Sequence, residues 1–182
     1  MSRNRIAIVG RFRSGKNTFA DYITDNFGHV QFAFGNGITE VINQYFPEAF
    51  ANGKPRKHYQ VIGQSFRELD ENIWVNKALE ELETHWNTFG DYPVIITDLR
   101  QLNEYKVMKS LGFTVIKVEA EEEVRLKRIA AAGDTCTPDQ LNHDTELQAD
   151  ACPCDYLVTN NDSLEALYQQ ADFIMNELMG EK

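Results

Sequence analysis

The chain has 182 residues, of which 42% are apolar and 25% charged, a balance that suits one soluble globular domain with a sizeable core and excludes a disordered chain. Its formal net charge of −10 excludes nucleic-acid binding over a broad surface, which needs a dense basic face. Three cysteines and an apolar start too short for a signal peptide or a membrane span predict a cytoplasmic protein with reduced thiols and no membrane association.

In chain order, 5-RIAIVG-10 is an apolar, β-branched run stopped by glycine, the pattern of a central parallel strand. A helix follows from about Gly15 to Phe27, with Phe19, Tyr22, Ile23 and Phe27 at helical spacing and Gly28 as its stop. A second strand is expected at 29–34, then helices over 37–46 and 58–86 with the loop "PEAFANGKPRK" between them. The run 93-PVIITDL-99 is a second buried strand. A helix at 102–111, a strand at 113–120, a helix at 122–132, a polar stretch to Pro153, a strand at 156–161 and a helix from Ser163 complete the chain.

Strands spaced by helices predict an α/β fold with a five-stranded parallel sheet covered by helices on both faces. The glycine- and lysine-bearing loop after the first strand makes it a three-layer P-loop NTPase arrangement. The expected organisation is one domain over 1–182, with a helical acceptor-binding insert at about 36–88 and a short lid at about 121–153.

The segment "GRFRSGKNT", Gly10 to Thr18, joins the first strand to the first helix. In that setting GxxxxGK is the phosphate-gripping Walker A loop. Backbone N–H groups and the helix N-terminus face the anion, Gly15 admits the phosphates without a Cβ, and Lys16 adds a positive charge. Gly10, Arg13, Ser14, Gly15, Lys16, Asn17 and Thr18 are the expected ATP contacts. Asn17 stands where such loops carry a Ser or Thr hydroxyl for magnesium; its amide oxygen can bind Mg²⁺ directly or through water.

The strand ending in Asp98 and Arg100 is the expected acidic partner of this loop. Asp98 would hold magnesium through water or accept a hydrogen bond from the acceptor, and Arg100 would bridge the transferred phosphoryl group. The competing reading makes Asp98 a helix cap and Arg100 a solvated side chain. Arg125 and Arg128 share a helix face and suit a lid over the triphosphate, although alternating charge also marks a solvated helix. For the acceptor, Arg67 among apolar neighbours suits a monophosphate, and Phe34, with Gly35 after it, or Trp74 suits a base. Lys54, Arg56 and Lys57 form a second cationic cluster or a solvated loop. Cys136, Cys152, Cys154 and His143 do not read as zinc ligands, because 152-CPC-154 has a single spacer residue.

"GRFRSGKNTFADYI", "IGQSFRELDENIW", "VIITDLRQLNE" and "DYLVTNNDSLEAL", in that order and spacing, resemble the phage-type deoxynucleoside monophosphate kinases, adenylate kinase-like P-loop enzymes. That resemblance implies transfer of the ATP γ-phosphate, with magnesium, to a nucleoside or deoxynucleoside monophosphate. It implies ATP on Gly10 to Thr18, acceptor and phosphoryl roles for Arg67, Asp98 and Arg100, and a lid role for Arg125 and Arg128. Asn17 departs from the Asp of that family's loop. Animal-type phosphomevalonate kinases share a similar opening, so a non-nucleotide phosphorylated acceptor remains open, as does ATP binding without transfer. A homodimer is also allowed.

Overall fold

The computed structural model describes residues 5–133 and 144–180. These fall into two compact units: Phe32–Asp91 forms one, and the chain on either side of it forms the other.

The larger unit carries β1 (Arg5–Val9), α1 (Lys16–Phe27), β2 (Val30–Phe32, whose last residue opens the other unit), β3 (Val94–Leu99), α5 (Leu102–Ser110), β4 (Thr114–Glu119), α6 (Glu122–Ala131), α7 (Asp144–Ala151), β5 (Tyr156–Thr159) and α8 (Leu164–Met179). The five strands lie in the order β2-β3-β1-β4-β5. They form the expected parallel sheet, with β1 central between β3 and β4. One face packs Ile6, Ile8, Ile95, Ile116, Val118 and Val158 against Phe19, Ala20 and Ile23 of α1 and Leu167, Ala171 and Met175 of α8. Residues of the opposite parity, Ala7, Val9 and Val115, are also fully buried, as a sheet covered on both faces requires.

Local chemistry sets the helix ends. α1 stops at Gly28, whose left-handed backbone lets its N–H reach Thr24 O at 3.0 Å. α5 starts with a capping box between Gln101 and Glu104. Ser163 Oγ accepts from Ala166 N to open α8. In β3 the register slips: Ala7 to Val9 of β1 spans two residues, whereas the paired Ile96 to Leu99 spans three. The extra residue falls at Thr97–Asp98, where it breaks the strand's alternation just before its C-terminal end at Leu99.

The smaller unit is helical: α2 (Gly35–Tyr45), a 3₁₀ turn (Pro47–Asn52), α3 (Arg56–Leu69) and α4 (Ile73–Phe89). Trp74 is its buried centre. Its ring stacks on Phe66 with centroids 5.3 Å apart, and its Nε1 donates to Gly63 O at 3.0 Å. Thr39 Oγ1 and the Tyr59 hydroxyl lie 2.6 Å apart across α2 and α3.

Three elements differ from the sequence expectation. The single helix expected over 58–86 is two, because Asp70 is extended and its Oδ1 accepts the Asn72 N–H in an Asx turn. "PEAFAN" is a 3₁₀ turn rather than irregular loop, started by Pro47. Part of the expected polar stretch is the helix α7. Among the described residues no helix is long and apolar enough to cross a membrane.

Candidate active site

The loop from Gly10 to Gly15 leaves the C-terminal end of the central strand and feeds α1. Its path needs residues that tolerate a left-handed backbone: φ is 155° at Gly10 and 102° at Gly15, and Arg13 at 61° is the one non-glycine with positive φ among the described residues. Space is equally restrictive. A Cβ on Gly10 would lie 2.2 Å from Val118 O, and one on Gly15 would lie 2.0 Å from Asn160 Nδ2.

Lys16 is 7% exposed. Its Nζ donates to the carbonyls of Gly10 at 2.6 Å and Arg11 at 2.7 Å, folding the ammonium over its own loop. Burial pushes its pKa well below the usual lysine value. The nearby Arg100 and Arg125 push the same way, and Asp98 pulls it back. The end of β3 and one arginine of α6 therefore lie within electrostatic reach of the lysine. Asp98 and Arg100 are each half-buried. Glu104 holds this corner in shape: its Oε2 accepts the N–H groups of Arg100 at 2.8 Å and Gln101 at 3.0 Å.

The arginines of α6 turn toward the loop. Arg125 Nη1 donates to Phe12 O at 3.5 Å; Arg128 Nη1 approaches Arg13 O at 3.3 Å and Ser14 O at 3.5 Å. Arg128 Nη2 also donates to the main-chain oxygen and Oδ1 of Asn160, at 3.0 and 3.1 Å. Asn160 Nδ2 completes the circuit by donating to Ser14 O at 2.8 Å. Burial, and next to it the charge of Arg11, disfavours the cationic form of Arg125.

Beside the loop lies a cavity of about 340 Å³, lined among others by Gly10, Arg11, Ser14, Lys117, Arg125 and Thr159. Two polar atoms of these residues, Ser14 Oγ and Arg125 Nε, are buried with no hydrogen-bond partner among the described residues. Arg11 instead pairs with Asp150 of α7: its Nε donates to Oδ2 at 2.8 Å and its Nη2 binds the same oxygen. Lys117 Nζ donates to the main-chain oxygen of Asp150 at 2.8 Å.

The loop residues, Asp98, Arg100, Arg125 and Arg128 all belong to the larger unit. Within the loop Asn17 is exposed and Thr18 half-buried. In the smaller unit Phe34 is buried and Gly35 half-buried. Arg67 is also half-buried, with its Nη1 against the backbone of Gly63, where a Cβ would lie 3.2 Å away. Trp74 is 4% exposed and packed on Phe66. Cys152 is buried, which pushes its thiol up to about 11, while Cys154 is exposed. Cys136 and His143 lie outside the described residues. Sequence reading did not single out Arg11, Glu104, Lys117, Asp150 or Asn160. The sole hint for Asn160 was its place in "VTNNDS", near the C-terminal end of the strand expected at 156–161, where a ligand crevice is expected.

A family model described as deoxynucleotide monophosphate kinase matches residues 55–171. Two curated relatives come from Ictalurid herpesvirus 1 (strain Auburn): uncharacterized protein ORF76, 29% identical over 59% of this chain, and uncharacterized protein ORF77, 28% identical over 62%. The matches cover 44% and 49% of those proteins, so the chain spans less than half the length of the curated relatives it matches. Among solved structures, shikimate kinase from Aquifex aeolicus vf5 superposes with a TM-score of 0.60 at 16% identity, over 98% of this chain and 99% of that one. Shikimate kinase from Acinetobacter baumannii in complex with shikimate gives 0.59 at 13%, over 97% and 93%. These likenesses establish a shared fold, and together with the family match over most of the sequence they lead to one conclusion: the chain belongs to the deoxynucleotide monophosphate kinase family of P-loop phosphotransferases.

Proposed function

We propose that this protein transfers the γ-phosphoryl group of ATP, with magnesium, to a nucleoside or deoxynucleoside monophosphate. The observation that carries the reading is a pair of buried cations, Lys16 and Arg125, at the end of the central strand. Burial disfavours the charge of both, and a neighbouring arginine disfavours it further in each case. A polyanion relieves that penalty where another cation would deepen it. The unpartnered Ser14 Oγ and Arg125 Nε on the cavity wall supply donors for it, and the N-terminus of α1, capped by Gly15, adds main-chain N–H groups.

ATP therefore fits the residues present. The loop from Gly10 to Thr18 holds its phosphates, Lys16 moves from the loop carbonyls onto them, and the adjoining cavity accepts the rest of the nucleotide. Magnesium fits the donor set as an ion carried in by the triphosphate. A cation that keeps several waters needs one carboxylate, Asp98, and a neutral oxygen from Asn17 or Thr18. Bound there, the metal neutralises charge on the phosphates.

The chain's own work is positioning and charge stabilisation. A phosphate oxygen of the acceptor forms a bond to the γ-phosphorus as the bond from that phosphorus to the β-γ bridging oxygen breaks, and ADP leaves with the electron pair. Asp98 orients the acceptor or a metal-bound water. Arg100 bridges the moving group through its planar fork, and Arg125 offsets charge on the leaving side. Arg67 holds the acceptor phosphate, with Phe34, Gly35 and Trp74 shaping the unit that carries it.

ADP release measured with magnesium–ATP and each common ribo- and deoxyribonucleoside monophosphate tests the proposal. At least one acceptor is expected to support turnover that Lys16→Ala abolishes. Turnover with a phosphorylated non-nucleotide alone would replace the acceptor class, and ATP binding without transfer would remove the kinase activity.

A further inference from the structure

We infer that Asn160, at the end of β5, is a positioning residue for the phosphate loop: its side-chain amide turns the Ser14 carbonyl away, so that the Gly15 N–H presents to the bound triphosphate. The inference rests on the nucleotide-binding reading above and adds to it a residue outside the loop on which the loop's geometry depends.

Asn160 is almost completely buried and fixed on every side. Its N–H donates to Glu119 O at 2.7 Å. Its main-chain oxygen and Oδ1 both accept from Arg128 Nη2, and its Nδ2 donates to Ser14 O at 2.8 Å. The amide has one workable orientation. A guanidinium offers donors alone and a carbonyl acceptors alone, so Oδ1 must face Arg128 and Nδ2 must face Ser14.

The consequence follows from peptide planarity. In a trans peptide the C=O and the following N–H point in opposite directions. Holding Ser14 O toward β5 aims the Gly15 N–H the other way. Arg125 on Phe12 O and Arg128 on Arg13 O act on the preceding peptides in the same manner. Asn160 has the shortest of these contacts and the most restrictive one, since it occupies the space a Gly15 side chain would need. It also braces Arg128, so one residue bears on two of the three carbonyls held, those of Arg13 and Ser14.

Asn160→Asp isolates the effect. The carboxylate keeps its bond to Arg128 but sets an acceptor against Ser14 O, which drives that peptide to turn. Inorganic tripolyphosphate and ATP, titrated calorimetrically into the full chain, are expected to bind about tenfold or more weakly, the scale of a displaced binding group. KM for the monophosphate acceptor should not move while KM for ATP rises. Asn160→Ala removes the donor without adding charge and should give the same triphosphate-selective loss, so it carries the test if the carboxylate variant does not fold. Triphosphate affinity within about twofold of wild type in both variants, or equal loss for both substrates, overturns the positioning role while leaving the kinase reading in place. If the wild-type chain binds neither tripolyphosphate nor ATP, both fall. If it binds them but phosphorylates no monophosphate, the kinase reading falls and the binding comparison still decides the role of Asn160.

Discussion

The ammonium of Lys16 lies 2.6 Å from the carbonyl oxygen of Gly10, so the charge that serves the phosphate is held against the first residue of its own loop. Its low pKa, set chiefly by burial, links this contact to stability. With a folded-state pKa below the unfolded value of 10.5, the unfolded chain binds more protons between the two, and wild-type stability rises with pH across that window. Lys16→Met has no such group. Chemical denaturation from neutral to alkaline pH should show wild type gaining on the variant as pH increases. A constant difference would remove the buried-cation argument.

Gly15→Ala should fail for two independent reasons. The residue sits at φ 102°, and the new Cβ would meet Asn160 Nδ2 at 2.0 Å. Backbone strain alone costs roughly 1–2 kcal/mol. The expected result is a lower denaturant midpoint together with loss of ATP binding. A variant that bound ATP normally would show that the loop rearranges on binding.

Asp150→Asn separates charge from architecture. Asp150 is well exposed, so its pair with Arg11 is worth at most about 1 kcal/mol to stability. Yet both residues line the cavity beside the loop, where the carboxylate repels phosphate and occupies Arg11. ATP affinity, measured at low and moderate salt, should rise roughly two- to fivefold in the variant and most at low salt. Weaker binding would mean that Asp150 supports the site.

In the smaller unit, Trp74→Phe keeps the stacking on Phe66 but leaves the Gly63 carbonyl without its indole donor. Equilibrium unfolding should report a loss of about 1–3 kcal/mol. No loss would imply that water replaces the donor.

Where sequence pattern and physical cause coincide, the fold is legible. The buried runs at Arg5–Val9 and Val94–Leu99 are too apolar for anything but central strands, and the glycines at 15 and 28 bracket α1. The pattern failed where one side chain overrode periodicity. Helical spacing continues through 70–72, but Asp70 captures the Asn72 N–H and divides the segment. α7 escaped notice because "DTELQADA" shows no apolar stripe. At the candidate site the loop announces itself through glycines and lysine at fixed spacing. Its braces do not. Asn160 and Glu104 work by hydrogen-bonding main chain 146 and 4 residues away, and nothing in an Asn after a strand or a Glu in a first turn distinguishes that work from an ordinary turn or cap. The slip in β3 that leaves Asp98 out of strict alternation is likewise a property of strand pairing, invisible in one strand's sequence.

The central claim is that the loop between β1 and α1 grips the phosphates of a nucleotide whose terminal group moves to a second phosphate. Initial-rate ADP release with magnesium–ATP across the ribo- and deoxyribonucleoside monophosphates tests it most directly. The account predicts saturable turnover with at least one acceptor and none above background in Lys16→Ala. A folded wild-type chain that releases no ADP with any monophosphate would contradict it.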